Sequence, residues 1–157
     1  MALGNAGYVA LNVFGNVIGG NFYGVCIEGS QDGGGLSVLG NRVLGNYIGT
    51  NQTGAAALAS SGAGSPNLGN GQQGVNLGGF HGPVIGGEIG GNFVTNNLQG
   101  GILKTTGAMG VSIHDNVALG NAGYDLEEDN PPPSCGNNTW ANNTFKVAQG
   151  VGKICIH

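Results

Sequence analysis

Apolar side chains along this chain come in short alternating runs, separated by glycine and asparagine. Val25-Cys26-Ile27-Glu28, Leu36-Ser37-Val38-Leu39 and Arg42-Val43-Leu44 follow one another closely, and Val75-Asn76-Leu77, Val111-Ser112-Ile113 and Tyr124-Asp125-Leu126 repeat the scheme later. Alternation over three to five residues predicts strands with one buried face. It directs Val25, Ile27, Val38, Val43, Val75, Leu77, Val111, Ile113, Tyr124 and Leu126 to the interior.

The runs recur. LGNAGY occurs at Leu3 to Tyr8 and again at Leu119 to Tyr124. Two Asn five apart recur in GNVIGGN, GNRVLGN, GNFVTNN, DNVALGN and NNTWANN, with first-Asn steps of 25, 51, 24 and 22 residues. A unit of about 24 residues holding three short strands is one turn of a parallel β-helix, each strand pairing with its counterpart one coil on. The expectation is an all-β solenoid of five to six coils with three strands each. Stacked corner Asn can hydrogen-bond up such a stack. Asn16, Asn41, Asn92, Asn116 and Asn138 are expected in one ladder, and Asn21, Asn46, Asn97, Asn121 and Asn143 in another.

Composition narrows the picture. With 35 Gly and 20 Asn in 157 residues, no stretch could sustain a long helix. Four basic against eight acidic residues leave a net charge of −4 and no basic stripe for nucleic acid. No run of eighteen apolar residues predicts membrane insertion. The N-terminus lacks the pattern of a signal peptide and opens in mid-repeat. An upstream continuation, or an end-to-end homodimer through a first coil exposing Val9, Leu11, Val13 and Phe14, is expected.

The GNxxxGN units, the G-V-x-I strands and the stretch Asn46-Tyr47-Ile48-Gly49-Thr50-Asn51-Gln52-Thr53-Gly54-Ala55 resemble bacterial right-handed parallel β-helix proteins of the pectate-lyase-like class. The resemblance implies the handedness, a secreted or cell-surface bacterial location, and a polysaccharide partner. It divides the chain into coils over 1–130, with a loop insertion at about 50–72, and a capping coil over 131–157, which is similar to the C-terminal coils of secreted members. In that secreted context, and with a spacing near one coil, Cys135 and Cys155 are expected to form a disulfide. Cys26 is left over, outward-facing and without a base.

Candidate chemistry is sparse. Asp125 and Glu127 should project together from an outward strand face as a carboxylate pair; with Asp129 they form the set considered for Ca²⁺. A solvated, charged last strand is the preferred alternative. His114-Asp115, with Lys104 one strand earlier as a base, is the second catalytic candidate, although Arg42 lies two or three coils away. Glu28, Asp32, His81 and Glu88 stand isolated and carry no assigned role. No cofactor is expected. The functional expectation is a non-catalytic extracellular scaffold or carbohydrate-contacting segment, with a fragment of a polysaccharide lyase, glycoside hydrolase or epimerase as the alternative. An ice-binding solenoid ranks last, because its threonines do not recur at one coil position.

Overall fold

The alternating runs form strands, and the strands stack. The computed structural model describes residues 2–4, 12–29, 38–51, 53, 69–78 and 83–157. Within them the chain winds as an all-β solenoid in which every strand pairing is parallel. Sheet A stacks β1 (Ala2–Gly4), β4 (Val25–Glu28), β8 (Gln73–Leu77), β12 (Gly100–Lys104), β16 (Tyr124–Glu128) and β19 (Ala148–Gln149). Sheet B stacks β2 (Asn12–Phe14), β6 (Arg42–Leu44), β10 (Glu88–Gly90), β14 (Ser112–His114) and β17 (Thr139–Ala141). Sheet C stacks β3 (Val17–Ile18), β7 (Tyr47–Ile48), β11 (Phe93–Val94), β15 (Val117–Ala118) and β18 (Thr144–Phe145). A fourth sheet, D, holds β5 (Val38–Leu39), β9 (Val84–Ile85) and β13 (Ala108–Met109).

The five levels of sheets B and C span four turns, slightly fewer than expected from the repeats. Sheet D adds a strand to coils expected to hold three; of its two-residue strands only β5 falls in an alternating run of the sequence, Leu36 to Leu39. The insertion expected over 50–72 lies mostly outside the described residues, as do Leu36, Ser37, Asp32 and His81.

Inward columns fill the solenoid. Val25, Val75, Ile102 and Leu126 stack in sheet A; Val13, Val43, Ile89, Ile113 and Trp140 in sheet B; Ile18, Ile48, Val94 and Ala118 in sheet C. All are buried, and each large aliphatic contributes about 1.5 to 3 kcal/mol. The residues expected inside are buried wherever their side chains are described, but Tyr124 is not part of the apolar core: its ring lies over Gly100 and its hydroxyl accepts from Gln73. Val13 departs from the exposed first coil expected for it: at 4% exposure it lies under Val43, whereas Phe14 is half exposed. Val9 and Leu11 fall outside the described residues.

At one corner of every described coil a left-handed residue precedes an asparagine. Gly15, Gly45, Gly91, Asp115 and Asn142, all at positive φ, precede Asn16, Asn46, Asn92, Asn116 and Asn143. These five Asn form one ladder, in which each side-chain oxygen accepts from the backbone and side-chain nitrogens of the preceding Asn. The buried side-chain nitrogens also donate to strand carbonyls, for example Asn92 to Val43 O at 2.8 Å and Asn116 to Ile89 O at 2.8 Å. The ladder thereby satisfies backbone groups left over where the strands end. A second ladder runs Asn21, Asn70, Asn97, Asn121.

Both ladders exist, but their membership differs from the expected sets. Asn46 and Asn143 belong with Asn16 rather than with Asn21. Asn41 and Asn138 sit at a third corner, where Asn138 Oδ1 accepts from Val111 N–H at 2.9 Å. The physical reason is that successive corners lie five residues apart, so the same GNxxxGN spacing arises at two phases of the coil.

Candidate functional site

Outward positions of sheet A line a polar groove. Cys26, Asn76, Leu103 and Glu127 make one outward column in direct register. Pairing continues one residue beyond the next inward position: Gly78 N–H donates to Ile27 O, Thr105 N–H to Leu77 O and Asp129 N–H to Lys104 O, at 2.9, 3.0 and 3.0 Å. A second column therefore runs Glu28, Gly78, Thr105, Asp129, its ends three strand steps or about 14 Å apart. Gly78, at φ 76°, leaves the column bare at one level.

Between these columns and the Gln72-Gln73 corner lies a groove of about 430 Å³. Tyr23 flanks it, with Phe22 packed edge-on at 4.9 Å between ring centroids. Gln73 Nε2 donates to Gln99 Oε1 and to the Tyr124 hydroxyl, both at 3.0 Å. Asn76 Nδ2 points to Glu28 Oε1 at 3.3 Å and Cys26 Sγ at 3.5 Å. That orientation leaves Asn76 Oδ1 buried without a hydrogen-bond partner among the described residues. Burial, followed by the charge of Glu127, raises the Asp129 carboxyl above its ordinary range.

Asp125 corrects the expected carboxylate pair. It is inside, at the level where the same stack position holds Gly24, Gly74 and Gly101, whose missing side chains make room for the second ladder. Its carboxylate accepts from Asn121 N–H and side-chain amide at 3.3 and 3.2 Å, and from the Lys146 and Val147 N–H groups at 2.9 and 3.0 Å. The final coil cuts this corner short and supplies no asparagine there, so Asp125 takes the ladder position. Glu127 stays outward, next to Asp129; Asp125, Glu127 and Asp129 do not converge, and no group of three such ligands occurs among the described residues.

Lys104 is likewise not on the surface. The inward column Ile27, Leu77, Lys104, Glu128 turns from aliphatic to ionic, and Lys104 Nζ meets Glu128 Oε1 at 2.7 Å with both side chains fully buried. Lys104 also donates to Ala108 O, while Glu128 accepts from Asn130 N–H and Trp140 Nε1. Burial pushes the Lys104 amine downward against the pull of Glu128.

His114 and Asp115 therefore have no Lys104 beside them. The His114 ring instead lies over Gly90, with Nδ1 at 2.8 Å from Asp115 and Nε2 at 3.0 Å from Glu88, which in turn holds Arg42 at 2.7 Å. This exposed chain of four charges crosses sheet B, and Arg42 also stacks on Phe14 at 5.8 Å. Cys26 is half buried, and burial pushes its thiol up to about 11, which leaves almost no nucleophilic thiolate at neutral pH.

The sequence brought none of Tyr23, Gln73, Asn76, Gln99 or Glu28 into a site. Their one signal was the outward half of the alternation, and the 50-residue step from Cys26 to Asn76 hid which positions stack.

In class the molecule is a parallel β-solenoid with a polar groove on one sheet, asparagine ladders at its corners and a disulfide between Cys135 and Cys155. No helix among the described residues is long and apolar enough to cross a membrane. Comparison of the chain with family models, curated proteins and solved structures gives no match.

Proposed function

We propose that the chain is a carbohydrate-contacting module of a secreted or cell-surface β-helix protein of the pectate-lyase-like class, and that its binding surface is the groove on sheet A. The observation that carries this reading is the groove's lining: side-chain amides, two threonine hydroxyls, two carboxylates and a tyrosine ring on a stack of strands, with no lysine or arginine among the described residues. Amides and hydroxyls suit sugar hydroxyls, and an aromatic face suits the apolar side of a pyranose ring. Rigid strands hold these groups without ordering cost on binding. The disulfide fits an oxidising compartment.

A second reading, a polysaccharide-cleaving enzyme, is favoured by the neighbouring Glu127 and Asp129, one of which is biased toward its protonated form beside the groove. Calorimetric titration with a panel of soluble glycan tetramers tests the binding reading. Binding that weakens in Tyr23→Ala and Gln99→Ala, and is unchanged in Phe14→Ala on sheet B, supports it. The absence of heat with every glycan would refute it. Product analysis after long incubation separates binding from cleavage.

A further inference from the structure

We propose that the buried Lys104 amine condenses with the Asn138 side-chain amide, with Glu128 as the acid–base catalyst, to form an intramolecular isopeptide bond between the end of β12 and the start of β17. The proposal is independent of the groove. It begins from three side chains that meet one carboxylate. Lys104 Nζ lies 2.7 Å from Glu128 Oε1, Asn138 Nδ2 donates to Glu128 Oε2 at 3.3 Å, and Trp140 Nε1 donates to the same Oε2 at 3.0 Å. The Lys104 and Asn138 nitrogens also share a second acceptor, the Ala108 carbonyl oxygen, at 2.8 and 3.4 Å. Amine and amide are thereby held side by side by two common partners, which removes most of the entropy cost of bringing them together.

The chemistry needs a neutral amine, a polarised carbonyl and a proton path to the leaving nitrogen. Burial pushes the Lys104 amine downward, toward its neutral form, and neither Lys104 nor Glu128 is open to water. Asn138 Oδ1 accepts from the Val111 N–H at 2.9 Å, a donor placed where negative charge develops as the amide carbon is attacked. Glu128 takes a proton from Lys104 through Oε1 and delivers one to Asn138 Nδ2 through Oε2. The bond from Nζ to the Asn138 amide carbon forms, the bond from that carbon to Nδ2 breaks, and ammonia leaves. Asn130 Nδ2 also reaches Ala108 O, at 2.8 Å, but only the Asn130 backbone N–H donates to Glu128, so that amide nitrogen has no such proton path. The product fastens the coil that the disulfide also closes, by a bond that thiols do not break.

Mass spectrometry of the full chain, folded, then denatured with its disulfide reduced, tests this. The mass is expected to fall short of the sequence mass by one ammonia. Trypsin should no longer cut after Lys104, and fragmentation should show the Lys104 peptide joined to the Asn138 peptide. Glu128→Gln, close to Glu in shape, should slow formation of the link at least about a hundredfold, and Lys104→Met should abolish it. Trp140 fluorescence verifies that each variant is folded. The full sequence mass in the folded wild-type chain, with cleavage after Lys104, would overturn the proposal whatever the variants do. So would a link at Asn130, or a loss of ammonia confined to Asn70-Gly71, where ring closure on the backbone gives the same change in mass.

Discussion

Lys104 and Glu128 meet at 2.7 Å between adjacent strands of sheet A, both closed to solvent. In the two preceding coils the same column holds Ile27 and Leu77. An ion pair there has lost its water, and the Ala108 carbonyl, the Asn130 N–H and the Trp140 ring nitrogen replace part of that hydration. Removing one partner leaves a charge in the core. Glu128→Ala is expected to lower stability by about 3 to 5 kcal/mol, whereas Lys104→Met combined with Glu128→Gln should cost less. Urea unfolding followed by Trp140 fluorescence measures both. A double variant as unstable as Glu128→Ala would assign the damage to packing instead.

The His114 ring should titrate above its ordinary value of about 6.5, because Asp115 first and Glu88 second hold its protonated form. A folded value above the unfolded one means that the histidine stabilises the fold fully below about pH 6.5, and that this contribution is lost as pH rises through the folded value. Glu88, held first by Arg42 and then by His114, and Asp115, held by His114, are both shifted downward, so their share is lost as pH falls through their lowered values. NMR titration of the His114 ring protons checks the direction. Glu88→Gln should bring the midpoint back toward 6.5; an unchanged midpoint would leave Asp115 as the sole cause.

Position within the ladder should set the cost of losing an asparagine. Asn92 and Asn116 are buried and join coils on both sides, whereas Asn16 is exposed at the start. Asn92→Ala or Asn116→Ala leaves neighbouring amides and a strand carbonyl unmatched, at about 1 to 3 kcal/mol each. Asn16→Ala should cost well under half as much in the same denaturation measurement. Similar losses at all three positions would mean that turn conformation, not the ladder, governs stability.

The disulfide joins the two 3-10 turns, Cys135–Asn137 and Lys153–Cys155, that close the last coil, across 20 residues. Reduction should cost about 2 to 4 kcal/mol. Alkylation in denaturant should label one thiol before reduction and three after it. In the native state at pH 8, Cys26 should label slowly because its thiol is held near 11. Rapid native labelling would contradict the burial of that thiol.

The period and the alternation made the solenoid legible, since both report on stacking and burial. They could not report phase. Five-residue spacing fits two adjacent corners equally well, so Asn46 and Asn143 were assigned to the wrong ladder while the ladders themselves were right. Alternation also assumes that a charged residue faces water, which misplaced Lys104 and Asp125. Each is buried because a partner from another coil meets it: Glu128 one strand on, and the Lys146 and Val147 N–H groups. The groove was illegible for a related reason. Asn76 and Glu28 are 48 residues apart in the chain yet in hydrogen-bond contact, and no local pattern encodes that proximity.

The ladders give the rod a polarity. In the first, the side-chain oxygen faces the coil before it and the nitrogen faces the coil after it, so among the described residues Asn16 presents an oxygen at one end and Asn143 a nitrogen at the other. Two copies meeting first coil to first coil would set Asn16 oxygen against Asn16 oxygen, with no hydrogen between them. Copies placed head to tail could carry the first ladder from Asn143 of one to Asn16 of the next, a heterologous contact that grows rather than closes. The second ladder opposes that growth, because Asp125 accepts from both sides and has no hydrogen to pass on.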